Sequence, residues 1–145
     1  MTEAAAFSMI WVKDKLTFLP EPLFSEQVAA GFPSPADDYL ENQLDLNEHL
    51  IKHPAATFFV QVAGDSMIGA GIHSGDILVV DRALEAVDKK VVIAAVHGEF
   101  TVKRLRKYKD RLVLMPENNK YKPLSIENEA DLEIWGVVTS VIHML

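Results

Sequence analysis

Ser66 and Lys103 are the two residues of this chain best suited to chemistry on each other. Ser66 lies in Ala63-Gly64-Asp65-Ser66-Met67, directly after the apolar run 57–62. Lys103 lies inside a second such run, Phe100-Thr101-Val102-Lys103-Arg104-Leu105. A serine hydroxyl near neutral pH needs a base beside it before it acts as a nucleophile. Lysine serves as that base only when burial strips its proton, and an apolar strand is one place where this happens. Gly64 permits the tight backbone that exposes a nucleophile, and amides at such a turn can receive an oxyanion. Thr101 and Lys103 share one face of a strand, so the threonine hydroxyl is placed to hold a neutral amine toward Ser66. A Ser–Lys hydrolase is the first hypothesis. Its plain alternatives are a turn serine and a solvent-facing strand lysine.

Other groups compete for attention. His49 and His53 are four apart, so a helix would put both on one face as a zinc pair. No third ligand stands nearby and Pro54 follows at once, so neither a metal site nor a cofactor is expected. His73 or His97 with Asp76 or Asp81 offers the parts of a Ser-His-Asp triad, but both histidines fall in turn-rich segments. The basic stretch 103–111 invites a nucleic-acid reading. A net charge of −7 opposes it, since holding phosphates requires surplus Lys and Arg. There is no cysteine, which removes disulfides, thiolate zinc sites and a cysteine nucleophile. Residues 1–12 lack the basic start of a secretory signal, and the apolar runs are too short for a bilayer. A soluble, cytoplasmic protein is expected.

The elements that must position these residues change character along the chain. Residues 1–35 carry Pro20, Pro22, Pro33 and Pro35 without a sustained period. Proline at that density reads as a flexible arm with a short helical turn around 24–30. Two short helical pieces are expected within 36–53, with Asn47 as a cap before Pro54. From Thr57 onward strands and turns alternate, with strands at 58–62, 77–81, 91–97, 99–106, 111–116 and 132–142. His97-Gly98-Glu99 marks a hairpin between two of them. The fold class is mainly β, with antiparallel sheets, the arm, and one or two short helices.

Several separated blocks occur in one order: Gly64-Asp65-Ser66-Met67, then Gly71-Ile72-His73-Ser74-Gly75-Asp76-Ile77-Leu78-Val79-Val80-Asp81, then Gly98-Glu99-Phe100-Thr101-Val102-Lys103. In this the chain resembles the LexA/UmuD family of self-cleaving Ser–Lys peptidases, and the UmuD branch in particular. The 37-residue spacing from Ser66 to Lys103 fits that branch. The likeness extends through Phe32-Pro33-Ser34-Pro35-Ala36-Asp37-Asp38-Tyr39, Ile51-Lys52-His53-Pro54 and Gly136-Val137-Val138, roughly residues 22 to 143.

The resemblance implies a twisted, partly open barrel of the LexA C-terminal type. It implies Ser66 as nucleophile, Lys103 as general base, Thr101 orienting the amine, and amides near Asp65 and Ser66 receiving the oxyanion. Self-cleavage before a glycine falls on Ala30-Gly31, dividing an arm of residues 1–30 from a peptidase and dimerisation body of residues 31–145. Many members carry cysteine where this chain has Ala30. The proline-rich residues before Gly31 suit no helix-turn-helix repressor domain, which favours the UmuD branch. That branch implies an SOS mutagenesis protein whose cleavage is stimulated by a RecA–single-stranded-DNA filament. Its trimmed homodimer acts with a UmuC-like Y-family polymerase subunit in translesion synthesis, without specific DNA binding of its own. The competing expectation is a non-catalytic β scaffold that binds a polymerase or filament.

Overall fold

Runs such as Ile77-Leu78-Val79-Val80 and Val91-Val92-Ile93 are rich in β-branched residues, and they form strands. The computed structural model describes residues 8–11, 20–24, 31 and 40–145, with side chains from Leu44 onward. Early in the chain come β1 (Ser8–Trp11), β2 (Pro20–Phe24), β3 (Leu40–Asp45) and the helix α1 (Leu46–Leu50). Then follow β4 (Thr57–Gln61), β5 (Ile77–Asp81), β6 (Val91–Val96) and β7 (Glu99–Lys107). The chain ends with β8 (Leu112–Met115), β9 (Leu124–Ile126) and β10 (Leu132–Ile142). Two compact units result, one of Met1–Asp14 with His53–Leu145 and one of Lys15–Lys52.

The larger unit is an eight-stranded antiparallel sheet in the order β1-β4-β5-β10-β6-β7-β8-β9. The mainly β expectation holds. Its central strand β10 pairs with β6 through its first half and with β5 through its second, with a register shift in each ladder. Between the two shifts sits Gly136, where a Cβ would lie 2.7 Å from Val80 Cγ1 and 3.2 Å from the Asp81 carbonyl oxygen. Only glycine lets β10 approach β5 this closely. β6 and β7 are joined by His97-Gly98, both left-handed at φ 49° and 82°. That is the two-residue turn whose twist matches a hairpin.

Two apolar clusters pack on this sheet. One gathers Phe58, Val60, Leu78, Val80, Ile93 and Val102 with Met67 and Ile72. The other gathers Val92, Ala94, Val96, Leu105, Leu114, Ile126 and Val137. β6 and β7 contribute to both, so each buries both faces. A strand covered on two sides reads as a continuous apolar run rather than an alternating one, as 91–96 does.

The proline-rich N-terminal segment departs from expectation. Read as a flexible arm, it contributes two strands: β1, which joins the larger unit by pairing with β4, and β2, which pairs with β3 in the smaller unit. Pro20 and Pro22 lie in a two-stranded ribbon, where each strand has one edge without a partner strand among the described residues, the setting in which sheets admit proline. Of the two helical pieces expected within 36–53, the described residues 40–53 show α1, preceded by β3, while 36–39 lie outside the described residues. The cap of α1 is Asp45, whose carboxylate accepts from the Asn47 N–H at 3.0 Å, not Asn47. Of the helical turn expected around 24–30, Phe24 instead ends β2, and 25–30 lie outside the described residues. No helix among the described residues is long and apolar enough to cross a membrane.

Candidate active site

Ser66 is carried on the turn that leaves β4. Met67, 1% exposed, drives its side chain into the first apolar cluster, and a 3-10 turn at Ile68–Ala70 follows. Burying Met67 anchors the turn by the hydrophobic term, about 1.5–3 kcal/mol for a side chain of this size. Lys103 extends from β7 on the face shared with Thr101 and Leu105. Because β7 has no solvent face at that point, the lysine is 9% exposed and not turned outward.

The two side chains meet. Lys103 Nζ lies 2.9 Å from Ser66 Oγ, 2.7 Å from Thr101 Oγ1 and 3.0 Å from the Val102 carbonyl oxygen. All three are uncharged oxygens, and Ser66 is 1% exposed. A neutral amine has two hydrogens and one lone pair. The three oxygens match the three N–H donors of an ammonium, and a neutral amine would fit them as well, with its hydrogens on Thr101 and Val102 and its lone pair toward the serine hydroxyl. A cavity of about 310 Å³ opens alongside, lined by Phe100, Thr101, Lys103, Leu114, Tyr121 and Leu124.

A second loop, 116–121, holds the serine turn in place, a feature that sequence reasoning treated only as a turn. The Glu117 N–H donates to the Ser66 carbonyl at 2.8 Å, and the Gly69 N–H donates to the Glu117 carbonyl at 2.7 Å. Asn118 Nδ2 donates to the Asp65 carbonyl at 2.9 Å, and the Tyr121 hydroxyl to Asp65 Oδ1 at 2.6 Å. Arg104 Nε in turn binds Glu117 Oε1 at 2.5 Å. A Cβ on Gly69 would stand 2.7 Å from the Glu117 carbonyl oxygen, so glycine is needed for this docking. No local sequence signal joins residues 65 and 121. Only the antiparallel return of the chain does.

The remaining candidates separate. Gly31 is exposed with φ +89°, while Ala30 lies outside the described residues. His53 is past the end of α1 and binds Asp81 Oδ2 at 2.6 Å, so the helical zinc pair with His49 does not form on one helix face. His97 occupies the β6–β7 turn, and His73 sits 3.6 Å from Asp76. Burial raises the Asp76 carboxyl, but the His73 N–H and the His143 and His73 imidazoles outweigh it and hold the pKa below the ordinary 3.8. The basic stretch 103–111 is largely occupied within the protein. Arg104 binds Glu117, Arg106 binds Asp88, and Arg106 and Arg111 lie over the Tyr108 ring at 5.5 and 5.6 Å.

Known proteins resemble this chain over most of its length. A family model described as Peptidase S24-like matches residues 22–139. Protein SamA of Salmonella typhimurium is 54% identical over 122 residues, covering 84% of this chain and 84% of the relative. Protein MucA of Escherichia coli is 46% identical over 119 residues, 81% of each chain. LexA repressor 1 of Xanthomonas oryzae is 41% identical over 117 residues, 81% of this chain and 58% of the repressor. A family model spanning this much sequence leaves one assignment: the chain belongs to the Peptidase S24-like family and is a protein of the serine-peptidase kind.

Proposed function

We propose that this protein cleaves itself between Ala30 and Gly31 with Ser66 as nucleophile and Lys103 as general base. The observation that carries the reading is the buried 2.9 Å contact between Lys103 Nζ and Ser66 Oγ. Desolvation disfavours the ammonium, and Thr101 and Val102 orient the neutral amine. As Ser66 Oγ attacks the Ala30 carbonyl carbon, its proton passes to Lys103 Nζ. The oxyanion forms against the backbone amides near Asp65 and Ser66. The C–N bond then breaks, Lys103 returns the proton to the departing Gly31 nitrogen, and an ester links Ala30 to Ser66. Water, deprotonated by the same amine, releases residues 1–30 and regenerates the hydroxyl. The cavity beside Lys103 accommodates an extended segment, and a small residue before a glycine lets that backbone lie close.

The family resemblance extends the proposal to an SOS mutagenesis factor of UmuD type. In that role a RecA–single-stranded-DNA filament stimulates the cut. The body of residues 31–145, as a cytoplasmic homodimer, serves a UmuC-like Y-family polymerase subunit in translesion synthesis. The test is incubation at alkaline pH with N-terminal mapping of the fragments. A fragment beginning at Gly31, formed by the wild type and lost in Ser66→Ala and in Lys103→Ala, is expected. An intact mass after long incubation, with and without an activated filament, would instead indicate the non-catalytic scaffold.

A further inference from the structure

Outside the Ser66–Lys103 pair, three potential metal ligands converge where the chain leaves β10. Asp76, 2% exposed, ends the turn before β5, and its carboxylate is fixed by the His73 N–H, which donates to Oδ2 at 2.7 Å. His143 follows β10 directly and brings Nδ1 within 2.5 Å of Asp76 Oδ1. His73 places Nδ1 3.6 Å from Oδ2 of the same carboxylate. The ligand atoms of all three lie within 4.8 Å of one another, and the two imidazole centroids are 4.9 Å apart.

We propose that His73, Asp76 and His143 form a divalent-cation site of zinc type. Two imidazoles and one carboxylate are a common zinc donor set, and three protein ligands leave a fourth position for water. A hydrogen bond between Asp76 and His143 would need only one histidine. The second imidazole, converging on the same buried carboxylate, is what points to an ion. Zinc holds its donors at about 2.0–2.2 Å, so tetrahedral ligand atoms stand roughly 3.3 Å apart. The close Asp76–His143 pair must open and the rings must draw together. Both histidine side chains are half exposed, 47% each, so they can turn without disturbing the core. Imidazole nitrogens bind a metal ion only when unprotonated, so the ion competes with protons for this site. The His73 N–H already supplies the supporting hydrogen bond that orients a ligating carboxylate.

Occupancy would tie the end of β10 to the turn 73–76. That turn is bonded to the start of the serine turn, through the Gly64 N–H to Ser74 Oγ at 3.3 Å and the Gly75 N–H to the Val62 carbonyl at 2.7 Å. The site does not depend on the peptidase reading, and its readout is binding. Zn²⁺ is titrated calorimetrically into the full chain near neutral pH, and thermal unfolding is followed with zinc and with chelator. One ion per chain is expected, with a zinc-dependent rise in Tm. His143→Ala and His73→Ala should each weaken binding at least tenfold and remove the rise, while His97→Ala changes neither. Both substitutions are at half-exposed positions, so unchanged unfolding without zinc checks that each variant is folded. Absence of saturable binding, or equal binding by the wild type and both variants, overturns the site.

Discussion

The Tyr121 hydroxyl donates to Asp65 Oδ1 at 2.6 Å, tying a residue at the rim of the cavity to the one that precedes Ser66. Under the proposed mechanism this bond fixes the backbone that must meet the oxyanion. Tyr121→Phe removes one hydrogen bond and little volume. A net loss of about 1 kcal/mol expressed in the transition state slows appearance of the Gly31 fragment by roughly five- to tenfold. Quantified cleavage time courses, with unfolding midpoints as control, test this. An unchanged rate would leave Tyr121 a packing residue.

Two glycines separate stability from chemistry. Gly136→Ala forces a methyl against Val80 and the Asp81 backbone, and overpacking of this kind costs about 1–3 kcal/mol. A lower denaturation midpoint is expected. Gly69→Ala meets the Glu117 carbonyl oxygen and separates the serine turn from its supporting loop. Its larger effect should be on cleavage rate. Measuring both quantities for both variants distinguishes the two roles.

Met67→Ala empties a buried position in the first cluster. The expected loss is about 2–5 kcal/mol, read from chemical denaturation. Cleavage should fall as well, because the residue that anchors the turn is the neighbour of Ser66.

Asp88 contributes on the acid side. The hydrogen bond from the Lys107 N–H has the largest effect on its carboxyl; desolvation, next in size, opposes it, and the Arg106 guanidinium and Lys89 add to the lowering, so the pKa lies below the ordinary 3.8. A pKa lower in the folded than in the unfolded chain gives stability that is present above 3.8 and lost as pH falls through the folded value. Asp88→Asn should therefore flatten the acid limb of a stability–pH curve below about pH 4. Identical limbs for both proteins would contradict the assignment.

How far the sequence could be read depended on whether local pattern and tertiary role agreed. Ile77–Asp81 and Leu132–Ile142 have the bounds expected of them, because β-branched runs ended by turn residues leave little choice. β2 escaped notice since its two prolines argue against a strand, and only a ribbon with open edges admits them. β9 has three residues after Pro123, too few to show a period. The burial of Lys103 was not legible from alternation, which places a strand lysine in water by default. It follows from the covering of β7 on both faces, a property of the whole sheet. The loop 116–121 showed its turn residues but not its partner, because hydrogen bonds across 53 and 56 positions leave no local trace.

Among the described residues, β1 reaches the main sheet through residues 8–11, laid in register along 58–61. While peptide bonds connect it to the body, that pairing is intramolecular and needs no supply of free strand. Scission after Ala30 would turn it into a bimolecular contact between a loose peptide and its former host. Four paired residues are too few to survive dilution without a tether. The row of amides and carbonyls along β4 would then stand open to any extended backbone of suitable length.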